Sequence, residues 1–332
     1  MPGNGVTGMF TSFQDYLAAL KSRLDEGFKE QLSLLLGNIA MKDVASLMAT
    51  LEAGKKIRGC LSCMISEALG GTIESAVPRA VAVELIQAAT LIHDDFVDQD
   101  TVRGSRPAAW TLEGARRAVL IGDVIFATAI KMMNELGRED GLAVSRAIAQ
   151  VSQGALHEPL DPLALTRQIE SRGWNDRSYE EIIHLKTGIL FGTACHLGAI
   201  AAGADGRLRE VTYRYGLRIG EAYQIADDLK EVKQHLDNRT IHPKQMAALA
   251  PTFLYFVGEM RPYILTVLQG RRLEISAAVA EFFNTAAKRM EQEITRRLQS
   301  AVSEIEEDFP HNGYRELARK APSDLIRMFK ES

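Results

Sequence analysis

Leu91-Ile92-His93-Asp94-Asp95-Phe96-Val97-Asp98-Gln99-Asp100 carries four aspartates within seven residues. Asp94 and Asp98 are four apart, so a helix sets them on one face. Like charges at that spacing repel by roughly 0.2–0.5 kcal/mol in water, and burial enlarges the penalty. A solvated acidic face is the competing reading. The preceding turns argue against it, because Val81, Val83, Leu85, Ile86, Ala88, Ala89, Leu91 and Ile92 are core-like. The carboxylates are therefore expected to end a buried helix and line a cavity. Hard oxygen ligands gathered there suit a hard divalent cation, Mg²⁺ or Ca²⁺.

Asp227-Asp228-Leu229-Lys230-Glu231 repeats the arrangement. Asp227 and Glu231 are again four apart, and this motif is expected to close an amphipathic helix from Val211 to Ala226. One acidic patch is weak support for a metal. Two matched patches on separate helices are strong support.

Composition sets the frame. The 332 residues are 46% apolar and 25% charged, which is ordinary for a globular protein. The net charge is −4 with Lys and Arg dispersed, so no basic stripe points to nucleic acid. No apolar run reaches the ~18 residues of a membrane span, since Glu84 and Gln87 break Val81 to Ile92. Met1 to Met9 is Gly-rich and lacks the basic and apolar regions of a signal peptide. It is expected to be a flexible N-terminus, and a cytoplasmic location is expected. Cys60 and Cys63 form a CxxC within a helical pattern, and Cys195 stands apart beside His196. That spacing does not suit zinc. Reduced, buried thiols are expected.

Apolar residues recur at spacings of three and four, without a run of alternating strands. Helices are predicted over 11–35, 42–52, 55–69, 76–100, 115–136, 141–157, 178–202, 206–234, 243–268, 273–300 and 313–329. Gly70-Gly71, Gly104 to Pro107, Pro159 to Pro162, Gly203 to Gly206, Thr240 to Pro243 and Pro310 to Gly313 mark breaks. No biased linker divides the chain. The reading is a single all-α domain over 10–332, many helices around a central cavity.

Basic residues are placed to meet an anion. Gly54-Lys55-Lys56-Ile57-Arg58 opens a helix, where Lys55 and Arg58 project together beside free backbone N–H groups. Gln87 lies two turns before Asp94 on the same face. Arg103 follows the first acidic motif, with Arg106 just beyond. Lys186-Thr187-Gly188 interrupts an apolar helix, and a lysine there needs an anionic partner or must snorkel. Gln224 stands one turn before Asp227.

In this order and spacing the residues resemble the trans-polyprenyl diphosphate synthases, the farnesyl and geranylgeranyl diphosphate synthase family. The resemblance covers roughly residues 50–235. It rests on Asp94-Asp95-x-x-Asp98, Asp227-Asp228-x-x-Glu231, Gly-Lys-x-x-Arg at 54–58, Lys186-Thr187, and Gln-x-x-Asp-Asp at 224–228. It implies an isoprenoid synthase-like helical bundle and a prenyltransferase that condenses an allylic diphosphate with isopentenyl diphosphate. It further implies three Mg²⁺ held between the acidic helices. Asp94, Asp98 and Asp227 would be first ligands, with Asp95, Asp228 and Glu231 ligating or holding waters. Arg103, Lys186 and Gln224 would hold the allylic diphosphate, with the Thr187 hydroxyl near it. Lys55, Arg58 and Gln87 would hold isopentenyl diphosphate. A homodimer is expected, with helix 115–136 apolar enough to be buried on more than one side. His93 is expected to be structural.

The residues below Asp94 bear on product length. Ala89 and Thr90 are small, so any floor falls to Ile86 or Phe126, and a product of C20 or longer is expected. Three departures from the family pattern stand out. The family has adjacent arginines after the first motif. Here Gly104 follows Arg103, so Arg106 must substitute in acceptor binding. Glu231 replaces an aspartate. The segment after it is short, with Lys233, Arg239 or Lys244 as candidates to close over substrate. Two other functions fit the same residues: an enzyme that ionises the allylic diphosphate but uses another acceptor or cyclises it, and a non-catalytic partner subunit.

Overall fold

The computed structural model describes residues 10–36, 54–104, 106–158, 161–171, 173–174, 176–236 and 240–331. The helix expected over 42–52, the segment 1–9 and Arg239 lie outside these residues. The chain divides into two compact units, Met1–Gln150 with Leu190–Leu217 and Ala301–Ser332, and Val151–Ile189 with Arg218–Ser300. Both are helical, as the all-α reading requires.

The first unit contains α1 (Phe13–Leu36), α2 (Ile57–Ala68), α3 (Ile73–Val97), the two-residue strands β1 (Val102–Arg103) and β2 (Arg106–Pro107), α4 (Ala109–Glu113), α5 (Ala115–Leu136) and most of α6 (Arg138–His157). Its centre is α2 and α3. Cys60, Leu61, Cys63, Met64 and Ile65 of α2 are wholly buried. The Thr72 hydroxyl caps α3 by accepting from Ser75 N–H. Helix α3 packs between α2 and α5. On length and composition α3 could cross a membrane, which amends the sequence reading, but most of its apolar window is buried inside the unit. The three thiols are buried, and burial pushes all three up, so they behave as small apolar groups.

Remote segments complete this unit. Helix α9 (Ile189–Ala201) comes so close to α2 that a side-chain carbon on Gly198 would sit 2.3 Å from Ser62 O. Helix α14 (Gly313–Lys330) meets α1 over α2: Glu67 accepts from the Tyr16 hydroxyl at 2.6 Å and the Tyr314 hydroxyl at 2.8 Å. Asp324 of α14 accepts from Phe13 N–H at 2.8 Å, which caps the start of α1.

The second unit holds the end of α6, α7 (Pro162–Glu170), α8 (Asp176–Ile183), a π turn at His184–Gly188, the later part of α10 (Gly206–Leu236), β3 (Thr240–Ile241), α11 (Pro243–Phe256), α12 (Arg261–Leu268), β4 (Leu273–Glu274) and most of α13 (Ala277–Ile305). Strand β3 pairs antiparallel with β4. Phe253 and Phe283 meet edge to face at 4.6 Å in its core.

Several expected boundaries shift. The helix expected over 178–202 is interrupted by the π turn, and that over 243–268 breaks at Val257. Helix α7 was not anticipated. Its signals were present, with Pro162 at the first position and Asp161 accepting from Leu163 and Ala164 N–H. Helix α10 fills the span expected over 206–234 and runs on to Leu236 rather than closing at Ala226, which puts Asp227, Asp228 and Glu231 within a helix.

Candidate active site

The first acidic motif sits at the C-terminal end of α3, with Asp98 as the capping residue. Carbonyl groups and the negative end of the helix dipole converge there, an unfavourable place for carboxylates. The chain supplies a cation. After a left-handed turn at Gln99 (φ 60), Arg103 returns and donates to Asp95 Oδ1 through Nε at 2.7 Å and Nη2 at 2.5 Å. Asp95 is buried, Asp94 half-buried and Asp98 exposed. Strands β1 and β2 pair Arg103 with Arg106. Residues directly opposite in an antiparallel ribbon share a face. The hairpin, with Gly104 at φ 61, thus sets Arg106 beside Arg103 although they are not adjacent in sequence.

His93 faces away from this chemistry. Its Nε2 lies 3.1 Å from Val119 O, so that nitrogen carries the proton, and its ring meets Phe126 edge to face at 5.5 Å. Gly122 makes room for it, since a side-chain carbon there would lie 2.2 Å from Nε2. Below the motif, Ile86 and Ala89 are fully buried, and the Thr90 hydroxyl donates back to Gln87 O.

At the start of α2, Lys55 is exposed and Arg58 is half-buried, its guanidinium 4.4 Å from the Phe191 ring centroid. Lys56 is buried in left-handed conformation over the Phe28 ring. One expected feature changes here. The backbone at this helix start is not all free, because Gly59 N–H donates to buried Glu84 at 2.8 Å. That bond draws α2 against α3 one turn from Gln87, the third residue expected at this anion site.

In the second unit Glu158, Tyr179, Lys186, Gln224, Asp227, Asp228 and Glu231 line one cavity of about 130 Å³. The π turn decides its chemistry. An inserted residue rotates the later side chains of the helix to a new face. Lys186 Nζ here donates to Glu158 Oε1 at 2.6 Å, while the Thr187 hydroxyl donates to Gln224 Oε1 at 2.5 Å. Gln224 Nε2 then donates to Asp228 Oδ1 at 2.9 Å, and the Tyr179 hydroxyl donates to Asp228 Oδ2 at 2.5 Å. Asp227 is exposed and lines the same cavity. Lys233 is engaged by Glu291 at 2.7 Å, and Lys244 is exposed in the first turn of α11.

Electrostatics show what this cavity suits. Burial pushes the Asp228 carboxyl up to about 6, against the hydrogen bonds from Tyr179 and Gln224 and with the charge of Asp227 adding to the rise. Burial, then the charges of Asp228 and Asp227, pushes Glu231 up to about 7. Carboxylates so crowded compete for protons near neutrality. A divalent cation relieves the same excess, and the donors are hard oxygens, so the set fits Mg²⁺. Among the described residues no three His, Cys, Asp or Glu side chains form a closed metal cage. Mg²⁺ commonly takes one or two carboxylates and completes its shell with water and substrate phosphate.

Sequence reasoning missed Glu158, Tyr179 and a buried hub beneath them. Arg297 of α13 pairs with Glu221, with both oxygens of Glu180, and with Glu293 Oε1 at 2.7 Å. His184 Nδ1 lies 3.2 Å from Glu221 Oε1, which ties the π turn to α10. The lysine inside an apolar run signalled an anionic partner without identifying Glu158. No local pattern pointed to Tyr179 or Arg297.

The family model for polyprenyl synthetase matches residues 42–240, a stretch that contains both acidic motifs and both groups of anion-binding candidates. The chain belongs to the polyprenyl synthetase family. This family member is 33% identical over 216 residues to the (2E,6E)-farnesyl diphosphate synthase of Mycobacterium tuberculosis, 64% of this chain and 58% of that protein. It is 32% identical over 216 residues to the geranylfarnesyl diphosphate synthase of Methanosarcina mazei, 65% of this chain and 70% of the relative. The family member is also similar to a polyprenyl synthase from Caulobacter crescentus, crystallised with calcium and isoprenyl diphosphate. The TM-score is 0.73 and the identity 24%, over 94% of this chain and 96% of that one. At that identity the likeness establishes the all-α fold alone.

Proposed function

We propose that this chain condenses an allylic diphosphate with isopentenyl diphosphate to give a trans-prenyl diphosphate of C20 or longer, with Mg²⁺ as cofactor. The observation that carries this reading is the cavity in which Asp227, Asp228 and Glu231 crowd together beside Lys186 and the Thr187–Gln224 pair. Such a site accepts metal-bound anion. The names of the relatives, farnesyl and geranylfarnesyl diphosphate synthase, support chain elongation and differ in length. The length therefore rests on the small residues Ala89 and Thr90.

In this reading Asp94, Asp98 and Asp227 hold magnesium, with Asp95, Asp228 and Glu231 ligating it or holding its waters. When bound, magnesium supplies positive charge at the diphosphate oxygens as the allylic C–O bond breaks. Lys186, Arg103 and Gln224 bind the same diphosphate, and Lys186 exchanges Glu158 for it. Lys55, Arg58, Gln87 and Arg106 hold isopentenyl diphosphate, with the β1–β2 register placing Arg106 where an adjacent arginine would otherwise stand. The isopentenyl double bond attacks the allylic carbon, and the proton lost from the new cation passes to the released diphosphate. No side chain is required as base, which agrees with His93 being tied to α5.

The test is incubation of pure protein with Mg²⁺, labelled isopentenyl diphosphate and allylic diphosphates of several lengths. Elongated prenyl diphosphates are expected. Cyclic or free hydrocarbon would assign the ionising, non-elongating reaction instead, and no product would assign a partner subunit. A homodimer belongs to the same reading. Leu120 and Val124, one turn apart on α5, are 52% and 46% exposed, an apolar stripe suited to a second copy. A monomeric mass at micromolar concentration would refute that part.

A further inference from the structure

Asp228 stands at the middle of the second acidic motif, yet both its oxygens already accept from protein donors. Tyr179 donates to Oδ2 at 2.5 Å and Gln224 to Oδ1 at 2.9 Å. The Gln224 amide has its orientation fixed, because its oxygen accepts from Thr187 and only its nitrogen remains to face Asp228. The carboxylate plane is therefore set from two sides.

Tyr179 itself is held with unusual completeness. Its side chain is 1% exposed, with Tyr255 at 5.0 Å and Phe256 at 5.5 Å between ring centroids. The next residue, Glu180, receives Nη2 of Arg297 on both oxygens, at 2.7 and 2.6 Å, and the Tyr255 hydroxyl as well. Arg297 is 2% exposed and also pairs with Glu221, one turn before Gln224 on α10. One buried guanidinium thus fixes α8 against α10, and α8 presents a single hydroxyl to the acidic motif.

We propose that Tyr179 is a positioning residue: it holds Asp228 as an inward-facing buttress so that Asp227 and Glu231, four apart on the same helix face, are the carboxylates that meet the metal. Carboxylates bound to a metal lose 10–100-fold in affinity or activity when their outer hydrogen bonds are removed. Tyr179 acts one step further back, on the carboxylate next to the first of the two ligands. The inference rests on the metal-dependent reading above and refines it.

Tyr179→Phe deletes one hydroxyl and leaves the ring packing in place. Two measurements decide the matter. The first is turnover as a function of Mg²⁺, with KM for each diphosphate. The second is calorimetric titration of inorganic pyrophosphate with and without Mg²⁺, which needs no turnover. The expected result is an unchanged melting temperature within a few degrees, a Mg²⁺ requirement raised by about tenfold, weaker Mg²⁺-dependent pyrophosphate binding, and an unchanged KM for isopentenyl diphosphate. An unaltered Mg²⁺ dependence in the variant overturns the proposal while the prenyltransferase reading stands. So does a loss of turnover that is equal at every Mg²⁺ concentration and accompanied by a lowered melting temperature. If the wild type makes no product but the variant still weakens Mg²⁺-dependent pyrophosphate binding, the proposal stands and that reading falls. Absence of such binding in the wild type overturns both.

Discussion

The two acidic motifs look alike in sequence and are built differently. At the end of α3 the middle aspartate, Asp95, is buried and takes a guanidinium, Arg103. Within α10 the middle aspartate, Asp228, takes two neutral donors, Tyr179 and Gln224. The helix explains the difference. At a C-terminus the dipole and the last carbonyls oppose negative charge, so a full countercharge is needed. In mid-helix that opposition is absent, and neutral donors orient a carboxylate without cancelling its charge. In the second motif burial, and then the charges of neighbouring carboxylates, raise the Asp228 and Glu231 carboxyls. The first is partly compensated by the chain itself.

The comparison can be broken most severely by removing the charge each motif offers a cation. Asp94→Asn and Asp227→Asn should each lower turnover by about 10²–10³-fold, the scale of losing one group that meets transition-state charge. Steady-state assay at saturating Mg²⁺ measures it. Equal losses would show that both motifs act in the same step, whereas a mild effect of one would restrict metal binding to the other.

Next comes the buried hub under the second motif. Arg297→Met should cost about 3–5 kcal/mol, because it leaves Glu221 buried without its cation. Urea denaturation reads this directly. Arg103→Met should cost less, since the Arg103 side chain is 41% exposed and solvent screens the pair.

The same hub predicts a pH response. Burial raises the Glu221 carboxyl, but the hydrogen bond from His184 and the charges of Arg297 and Arg218 outweigh it, leaving it below its ordinary 4.5. A carboxyl lowered by folding adds stability above its unfolded pKa and loses it as pH falls through the folded value. Stability should therefore decline below about pH 4.5, and Glu221→Gln, already weaker at neutral pH, should flatten that slope. Denaturation midpoints between pH 3 and pH 7 are the measurement.

The smallest effect on rate, and one confined to the first motif, is a change of product. Ala89→Phe places a ring in the fully buried space one turn below Asp94, beside Ile86. Products should shorten while Mg²⁺ dependence stays the same. Chromatography of the prenyl diphosphates checks this, and an unchanged length would refute the floor.

Much of the fold was legible because helical periodicity is local. The spacing that puts Asp94 with Asp98 and Asp227 with Glu231 on one face needs only 3.6 residues per turn. The small cost of burying Cys60 and Cys63 follows from the apolar run around them. The boundaries that failed are at the π turn, where packing overrode the helical pattern, and at α7, whose start signals at Asp161 and Pro162 went unread.

The sequence alone determined which side chains carry charge, which faces they share, and that a hard cation and an anion are what those faces suit. The tertiary structure decided who stands opposite each of them: Arg103 on Asp95, Arg106 beside Arg103, Glu158 on Lys186, and Tyr179 on Asp228. Spacing along one helix is fixed by backbone geometry. The partner across a cavity arrives from a segment tens of residues away, and only the packing of helices brings it there.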